Sequence, residues 1–356
     1  MGSEDSKLPK ILLIGTGGTI TAQKIDQAWS PGKFTEEDLL QFIPEIRKLA
    51  EIDTTNLFNI DSVCMQPKYW VKIAETIRKE YDNYQGFVIT HGTDTLHYTA
   101  SSLSFLMQNL TKPVVLTGSM VPPHVLGTDA WRNLTDAIRV AVETKIHEVL
   151  IVFNRKILRG NRTKKFREVE FDAYQSIGMQ PIGIVEQDIR YSGVPYFSRD
   201  QNEKPIFYDK MELEVCIQKI TPGYNPEIIA KLREIGYKGI VTEGFGSGNI
   251  PIYENSLIKE IEQSTRAKIP VIVCSQCAIG FSWMDLYESG KMALIAGAIP
   301  GYDMIAETAM TKLMWILGNF PNLTMEEIRA KVLEDVSGEI SSIKTPKEKR
   351  AWEYAF

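Results

Sequence analysis

Short apolar runs alternate along the first half of the chain with longer stretches of mixed polarity. The apolar runs are 11–14, 86–90, 114–117 and 149–153. Stretches with the spacing of amphipathic helices are 69–81, 99–110 and 133–144. Runs that are apolar throughout are typical of strands covered on both faces. The alternation therefore predicts an α/β fold with a mostly parallel sheet flanked by helices.

This rhythm breaks after about residue 190 and resumes at 223 with a second α/β pattern. The chain has 356 residues, of which 44% are hydrophobic, so it is long enough to bury a large core and points to two domains. The predicted organisation is a larger N-terminal catalytic α/β domain, a linker, a smaller C-terminal α/β domain and a charged tail. Their bounds are 10–195, 196–222, 223–337 and 338–356.

Charge and cysteine content exclude several classes of function. A net charge of −5 does not favour nucleic acid or anionic membrane surfaces as partners. The polar start of the chain and the absence of a long apolar run predict a cytoplasmic protein without a signal peptide or membrane span. Four cysteines are too few for a disulfide framework, and the four histidines lack metal-ligand spacing, so no metal or cofactor is expected.

Small and hydroxyl-bearing residues crowd the end of the first strand, in the segment LIGTGGTITAQ at 13–23. A tight βα turn with a threonine cap explains such a segment. A dinucleotide loop fits poorly, because Ile20 occupies the last glycine position of the motif and Asp26 comes too early to bind a ribose. A third interpretation makes Thr19 a nucleophile next to backbone N–H groups that face an oxyanion.

The segment GFVITHGTDTLHYTASSL at 86–103 places His91, Thr93 and Asp94 directly after an apolar strand. A turn that caps the next helix explains one of these residues but not all of them. In the functional interpretation, Asp94 binds a substrate ammonium group and Thr93 activates a water molecule. A threonine needs a proton acceptor nearby, and a lysine from the basic segment 159–168 is a candidate, although such a segment is more often a solvated loop.

The segments TGGTI and HGTDTL together resemble the two signatures of the bacterial-type L-asparaginases. TGSMVPP, TDAWRNLTDA and RGNRTKK follow in that family's order, and the similarity extends from about residue 10 to about residue 319. The segment DMIAETAMTKL is similar to the cytoplasmic, type I branch. The resemblance implies hydrolysis of L-asparagine to L-aspartate and ammonia, with no cofactor and no metal.

The resemblance also implies the roles of individual residues. Thr19 matches the nucleophile that forms an acyl-enzyme, while Thr93, Asp94 and Lys165 match a second group that activates a nucleophile or water. Asp94 also matches the residue that holds the substrate's α-ammonium group. The remaining expected substrate-binding residues are Gly18, Asp61, Ser62, Ser119, Asn249 and Glu307. Gly18 and Thr93 are expected to donate backbone N–H groups to the oxyanion.

Asn249 and Glu307 resemble residues that complete the site across a subunit interface, which implies a homo-oligomer, either a dimer or a tetramer. Some type I members have an allosteric asparagine site with an arginine and a threonine where this chain has Glu243 and Lys164. We therefore expect that site to be absent or altered.

The chain departs from the family pattern at the loop after the first signature. An ungapped alignment places Trp29 where the family has a tyrosine that bonds the nucleophile, and an indole cannot act as that acid or base. Cys64 and Thr21 are further departures. Two alternatives to an L-asparaginase are a nonhydrolytic asparagine-binding or sensing protein and an amidase subunit that supplies ammonia for tRNA-dependent amidation. Family members with that last role carry an added N-terminal domain, and from the early position of TGGTI we expect no such domain here.

Overall fold

The computed structural model describes residues 8–25, 28–30, 34–194 and 203–341. The chain divides into two compact units. The N-terminal unit comprises Met1–Ser176 and Gln180–Phe207, and the C-terminal unit comprises Ile177–Met179 and Tyr208–Phe356. Each unit combines parallel strands with helices, so the predicted α/β class is confirmed.

The N-terminal unit contains fourteen described strands and four described α-helices. The strands are β1 (Lys10–Gly17), β2 (Gln23–Ile25), β3 (Ala28–Ser30), β4 (Glu51–Ile60), β5 (Gly86–Thr90), β6 (Met107–Gln108), β7 (Val114–Thr117), β8 (Val149–Phe153), β9 (Lys156–Arg159), β10 (Thr163–Lys165), β11 (Tyr174–Ser176), β12 (Gly183–Val185), β13 (Ile189–Tyr191) and β14 (Ile206–Phe207). The helices are α1 (Glu36–Gln41), α2 (Pro67–Glu80), α3 (Leu96–Leu106) and α4 (Ala130–Glu143).

Eight of these strands form one sheet in the order β13-β12-β9-β8-β7-β5-β1-β4. The five strands from β8 to β4 are parallel, and β9, β12 and β13 are antiparallel. The strand order reverses at β1, because β4 lies on one side of it and β5 on the other. Ligands of such sheets bind in the crevice that this reversal opens at the carboxyl ends of the strands. Thr19 and Thr93 follow the two strands, β1 and β5, that border this crevice.

Helix α3 differs from the expectation for residues 99–110. The helix begins at Leu96, and all its residues except Tyr98 are buried, so it is not amphipathic. Its small residues allow close packing: a Cβ atom added to Gly160 would lie 3.1 Å from the Cβ of Ala100. The chain then continues from Leu106 into the short strand β6, which pairs with β14.

The C-terminal unit contains four described strands, all parallel, in the order β15-β16-β17-β18. The strands are β15 (Val215–Lys219), β16 (Gly239–Gly244), β17 (Val271–Ser275) and β18 (Ile299–Pro300). The helices are α5 (Glu227–Glu234), α6 (Ile258–Arg266), α7 (Glu288–Ile295), α8 (Ala306–Asn319) and α9 (Met325–Leu333). A buried cluster of aliphatic residues that includes Ile240, Ile261 and Val271 forms the core of this unit.

The observed boundaries differ from the sequence-based ones at two places. Strand β15 lies within 196–222, the segment assigned to the linker, and the two units divide after Phe207. The start of the supposed tail is anchored, because Glu339 is fully buried and forms an ion pair of 2.5 Å with the equally buried Lys312 of α8. Residues 342–356 of that tail lie outside the described residues. None of the described helices has both the length and the apolar character needed to cross a bilayer.

Candidate active site

The end of β1 needs glycine at two consecutive positions. Gly17 and Gly18 have φ angles of 99° and 86°, in the left-handed region that favours glycine. Neither position has room for a side chain, since an added Cβ would lie 2.5 Å from the carbonyl oxygen of Ile60 or 2.3 Å from the Cα of Gly92, respectively. These close approaches explain the glycines of TGGTI. The bend leads directly to Thr19, the first residue of the 3₁₀ turn Thr19–Thr21.

The turn after β5 is held by His91, whose imidazole is buried. Its Nδ1 lies 2.7 Å from the carbonyl oxygen of Gly92, and its Nε2 lies 2.8 Å from Oγ1 of Thr99. Since a carbonyl oxygen only accepts hydrogen bonds, Nδ1 carries the hydrogen and Nε2 accepts from the threonine. Burial lowers the pKa of His91 to about 4. The imidazole is therefore neutral near pH 7, and it supports the turn that carries Thr93 and Asp94.

The ammonium group of Lys165 joins the two polar side chains of this turn. Lys165 is the last residue of β10, and its Nζ donates to Oγ1 of Thr93 at 2.9 Å and to Oδ1 of Asp94 at 2.7 Å. The Lys165 side chain is 14% exposed, whereas that of Asp94 is 55% exposed. Lys165 thus joins Thr93 and Asp94, about seventy residues earlier in the chain, in one Thr–Lys–Asp cluster. The carboxylate of Asp94 is the most exposed part of this cluster.

Tyr174 lies on β11, the strand that pairs with β10, and holds the turn that carries Thr93 and Asp94. Its hydroxyl donates to the backbone carbonyl oxygen of Thr93, and the side chain is fully buried. Burial raises the pKa of this phenol well above its usual value of about 10. Tyr174 is therefore a donor to the backbone and not a base for the hydroxyl of Thr93.

The segment after β4 supplies a third set of polar groups. Asp61 caps the 3₁₀ turn Ser62–Cys64 by accepting a hydrogen bond of 3.1 Å from the N–H of Val63. Ser62 links this turn to the one after β5: its Oγ accepts from the N–H of Asp94 at 3.2 Å, and its carbonyl oxygen accepts from Oγ1 of Thr95 at 2.7 Å.

These three segments surround a cleft of about 100 Å³. The cleft is lined by Gly18, Thr19, Ala22, Asp61, Ser62, Gly92, Thr93 and Asp94. Its volume suits a small metabolite, since pockets for drug-sized ligands are about 300 Å³ or more. Among the described residues, no group of three or more His, Cys, Asp or Glu side chains is arranged to hold a metal ion.

Three of the substrate-binding residues named from the sequence are not part of this cleft lining. Ser119, after β7, is fully buried, and its Oγ has no hydrogen-bond partner in the described part of the chain. Asn249 belongs to the C-terminal unit, where its Oδ1 accepts from Oγ of Ser289 at 2.9 Å. Glu307 is buried in the first turn of α8. The backbone of Trp29 lies in β3, opposite Lys24 of β2, and its side chain is outside the described part of the structure.

Tyr174 and the support that it provides to this turn have no counterpart among the residues predicted from the sequence. Tyr174 donates to a backbone atom 81 positions earlier in the chain, and no motif or spacing around it marks this contact. His91 was recognised only as one of several polar residues after β5. A titratable side chain at the end of a buried strand indicates an unusual environment for His91, but it does not predict that the imidazole holds the turn after β5.

Comparison with known proteins gives matches over both units. Residues 10–196 match the family model "Asparaginase, N-terminal", and residues 214–331 match "Glutaminase/Asparaginase C-terminal domain". The L-asparaginase of Thermococcus kodakarensis is 38% identical over 334 residues, which cover 93% of this chain and 99% of that protein. A component of the glutamyl-tRNA(Gln) amidotransferase of Pyrococcus abyssi is 40% identical over 347 residues, or 94% of this chain and 77% of that protein.

Solved structures agree with these matches. The thermostable L-asparaginase from Thermococcus kodakarensis has a TM-score of 0.86 at 36% identity, covering 94% of this chain and 100% of its own. L-asparaginase I from Vibrio cholerae has a TM-score of 0.84 at 32% identity, covering 94% of this chain and 99% of its own. With family matches over most of its length and a site built at the signature segments, the chain belongs to the asparaginase family.

Proposed function

We propose that this protein is an L-asparaginase that hydrolyses L-asparagine to L-aspartate and ammonia. The observation that carries the proposal is the contact of Lys165 Nζ with both Thr93 and Asp94, at the edge of a cleft that Thr19 also lines. A threonine hydroxyl is a weak nucleophile and a weak base by itself, and a lysine side chain bonded to it supplies a second group through which its proton can move.

In the proposed reaction, Thr19 Oγ1 attacks the side-chain amide carbon of the substrate. The backbone N–H groups of Gly18 and Thr93 stabilise the oxyanion, and losing one such donor typically costs roughly a hundredfold or more in rate. Collapse of the tetrahedral intermediate breaks the bond from carbon to nitrogen, the departing nitrogen takes up the proton that Thr19 has lost and leaves as ammonia, and an acyl-enzyme remains. Thr93 and Lys165 then activate the water molecule that releases aspartate.

Substrate recognition is assigned to the polar groups around the cleft. Asp94, the most exposed member of the Thr–Lys–Asp cluster, is placed to bind the α-ammonium group. Asp61 and Ser62 line the same cleft and are assigned to the α-amine and α-carboxylate. Since an extra methylene is usually discriminated by only about 1 to 3 kcal/mol, glutamine is the competing substrate to measure.

The first experiment measures ammonia release from L-asparagine and, separately, from L-glutamine. We expect turnover of asparagine, and a loss of at least about a thousandfold in the Thr19→Ala variant, because the nucleophile is gone. Thr76→Ala on α2 is the matched control and should leave the rate unchanged. Substantial turnover by Thr19→Ala would remove Thr19 as the nucleophile. Binding of asparagine by the wild-type protein without hydrolysis would favour the sensing alternative.

An amidase component that supplies ammonia to tRNA-dependent amidation is the second candidate. It is favoured by the 40% identity to the amidotransferase component of Pyrococcus abyssi. The two candidates differ in what turnover requires. Ammonia release from free L-asparagine by this protein alone supports an L-asparaginase. Release that begins only when tRNA and a partner protein are added supports the second candidate.

The proposal extends to assembly. We assign Asn249 and Glu307 to the active site of a second copy of the chain, as their resemblance to family residues implies, so that the active form is a homo-oligomer. Sedimentation or light scattering of the purified protein measures this directly, and an active monomer would contradict it.

A further inference from the structure

Glu36 is a buried carboxylic acid that the proposed mechanism does not use. It is the first residue of α1, and only 1% of it is exposed. The next two residues of the same turn, Glu37 and Asp38, already supply negative charge to the start of the helix, and Asp38 forms a capping box with Thr35. The position of Glu36 at a helix start therefore does not explain its burial.

The carboxylate of Glu36 is held by two side chains from different strands. Oγ1 of Thr90 donates to its Oε1 at 2.9 Å, and Nδ2 of Asn56 donates to its Oε2 at 3.2 Å. Burial raises the pKa of this carboxyl group, and the hydrogen bonds from Thr90 and Asn56 act in the opposite direction. Each carboxylate oxygen of Glu36 thus accepts a hydrogen bond from a side chain, in a site that is largely closed to water.

The same carboxylate occupies the space in front of Gly15. A Cβ atom added to Gly15 would lie 2.1 Å from the Cδ and from both carboxylate oxygens of Glu36, which are its three nearest atoms. In the sheet, Gly15 is paired with Asn56 of β4 on one side and with Thr90 of β5 on the other. The carboxylate of Glu36 consequently bridges three adjacent strands at one level. The central strand, β1, has no side chain at this level because residue 15 is glycine.

These three strands carry the three segments of the active site. Thr19 follows Gly15 by four residues, Ser62 follows Asn56 by six, and Thr93 follows Thr90 by three. A further hydrogen bond of 2.7 Å, from Oγ1 of Thr16 to the carbonyl oxygen of Thr90, ties β1 to β5 at the same level. A change in spacing here would move the nucleophile relative to the Thr–Lys–Asp cluster.

We propose that Glu36 is a positioning residue, which fixes the relative placement of the segments carrying Thr19, Ser62 and Thr93 by bridging Asn56, Gly15 and Thr90. This role rests on the proposed amide hydrolysis. Glu36 does not line the cleft, so it acts on the reaction through the strands and not through the substrate. Misplacement of reacting groups by about 1 Å can cost about a hundredfold in rate, which sets the size of the expected effect.

The primary test compares Glu36→Ala and Glu36→Gln with the neighbouring control Glu37→Gln. Glu37 is exposed and pairs with Arg47 at the surface, so its variant should match the wild-type protein. Glu36→Ala should lower kcat by about 10- to 100-fold and change KM by less than about threefold. Glu36→Gln keeps an acceptor for Thr90 but presents an amide N–H₂ to Asn56. Its kcat should therefore fall between that of Glu36→Ala and that of the wild-type protein.

A double-mutant cycle tests whether Gly15 and Glu36 act as one unit. Gly15→Ala puts a methyl group where the carboxylate lies and should lower kcat as Glu36→Ala does. In the Glu36→Ala background the methyl group has room, so Gly15→Ala should add little further loss. Losses that simply multiply, or a Glu36→Ala enzyme with wild-type kcat, would overturn the proposal.

Two further measurements keep the test decisive. Circular dichroism and thermal melts identify a variant that does not fold. If Glu36→Ala does not fold, the kcat values of Glu36→Gln and Thr90→Val are measured instead. Wild-type kcat in both of these variants would overturn the proposal. If the wild-type protein releases no ammonia, the proposed hydrolysis fails by itself. The placement of the three segments is then measured directly in crystal structures of the wild-type protein and Glu36→Ala, where an unchanged distance between Thr19 and Thr93 would reject a positioning role for Glu36.

Discussion

Lys164 and Lys165 are adjacent in β10, where successive side chains point to opposite faces of the strand. Lys165 contacts Thr93 and Asp94. We therefore expect Lys165→Met to lower kcat for asparagine hydrolysis by about a hundredfold to ten-thousandfold, the usual contribution of a group that moves a proton. The assay is ammonia release at saturating L-asparagine.

Lys164→Met is the matched control for that experiment, because it removes the same charge and side-chain length one position away. Its kcat should stay within about threefold of the wild-type value, since the side chain at position 164 points to the face of β10 opposite to that of Lys165. A severe loss in Lys164→Met together with a mild one in Lys165→Met would reverse the assignment of the two lysines.

The residues that could be predicted at this scale are those in contiguous motifs. Thr19, Thr93 and Asp94 stand in short segments whose composition is unusual, and the structure brings all three to one cleft. Glu36 and Tyr174 could not be predicted, because each contacts the site through partners 54 and 81 positions away, respectively. A buried carboxyl group or phenol has no local signature, since its partners are set by the strand order and not by its neighbours.

At the scale of elements, the sequence pattern predicts where strands lie better than it predicts how exposed a helix is. The apolar runs 86–90 and 149–153 coincide with β5 and β8, whose residues are all buried. Helix α3 is expected to be amphipathic but is enclosed, and it buries its serines: Oγ of Ser104 donates to the carbonyl oxygen of Ala100 at 2.9 Å, whereas Oγ of Ser102 has no hydrogen-bond partner among the described residues. A helix can therefore bury serine without a partner strand, and polarity alone misjudges its exposure.

Asp136 lies on the largely buried face of α4, and burial raises its pKa to about 6. The positive charges of Arg139, Arg132 and Arg155 only partly offset this effect. The carboxyl group of an unfolded aspartate has a pKa near 3.9, so between about pH 4 and pH 6 the folded protein binds more protons than the unfolded chain. The contribution of Asp136 to the free energy of unfolding therefore falls as the pH rises through this window.

Replacing Asp136 by asparagine removes this proton linkage. The free energy of unfolding of Asp136→Asn, relative to wild type, should increase by about 1 kcal/mol between pH 5 and pH 7, because about one pKa unit of the window lies above pH 5. Urea titrations at the two pH values measure the difference. Asp82→Asn, at an exposed position after α2, is the control and should give no such increase. A difference that is independent of pH would contradict the raised pKa.

At the scale of the whole molecule, the α/β class follows from patterns that recur along both halves, whereas the boundaries depend on pairing. Strand β15 is five residues long and only partly buried, so its sequence resembles a connecting segment. It becomes part of the C-terminal sheet through its parallel pairing with β16. Similarly, Glu339 stands in a stretch of polar residues, and its burial depends on Lys312, 27 positions earlier.

Assembly can be tested by mixing two inactive proteins. If the N-terminal unit of one copy and Asn249 of another form each active site, Thr19→Ala and Asn249→Ala carry defects in different parts of that site. A mixed dimer then has one site with both defects and one intact site. Random reassociation of equal amounts makes half of the dimers mixed, so we expect about a quarter of the wild-type activity after mixing, as two-fold symmetry requires.

The control mixes Thr19→Ala with Lys165→Met, two defects that lie in the same unit of the chain. Each site of that mixed dimer receives one defective N-terminal unit, so no intact site can form and activity should stay at the level of the separate variants. Differently tagged copies, purified in two steps, establish that mixed dimers are present. Recovery in the first mixture and none in the second identifies a site shared between copies, because only a shared site distinguishes the two pairs of defects. Verified mixed dimers without recovery in the first mixture would place Asn249 in the site of its own copy or outside the reaction altogether.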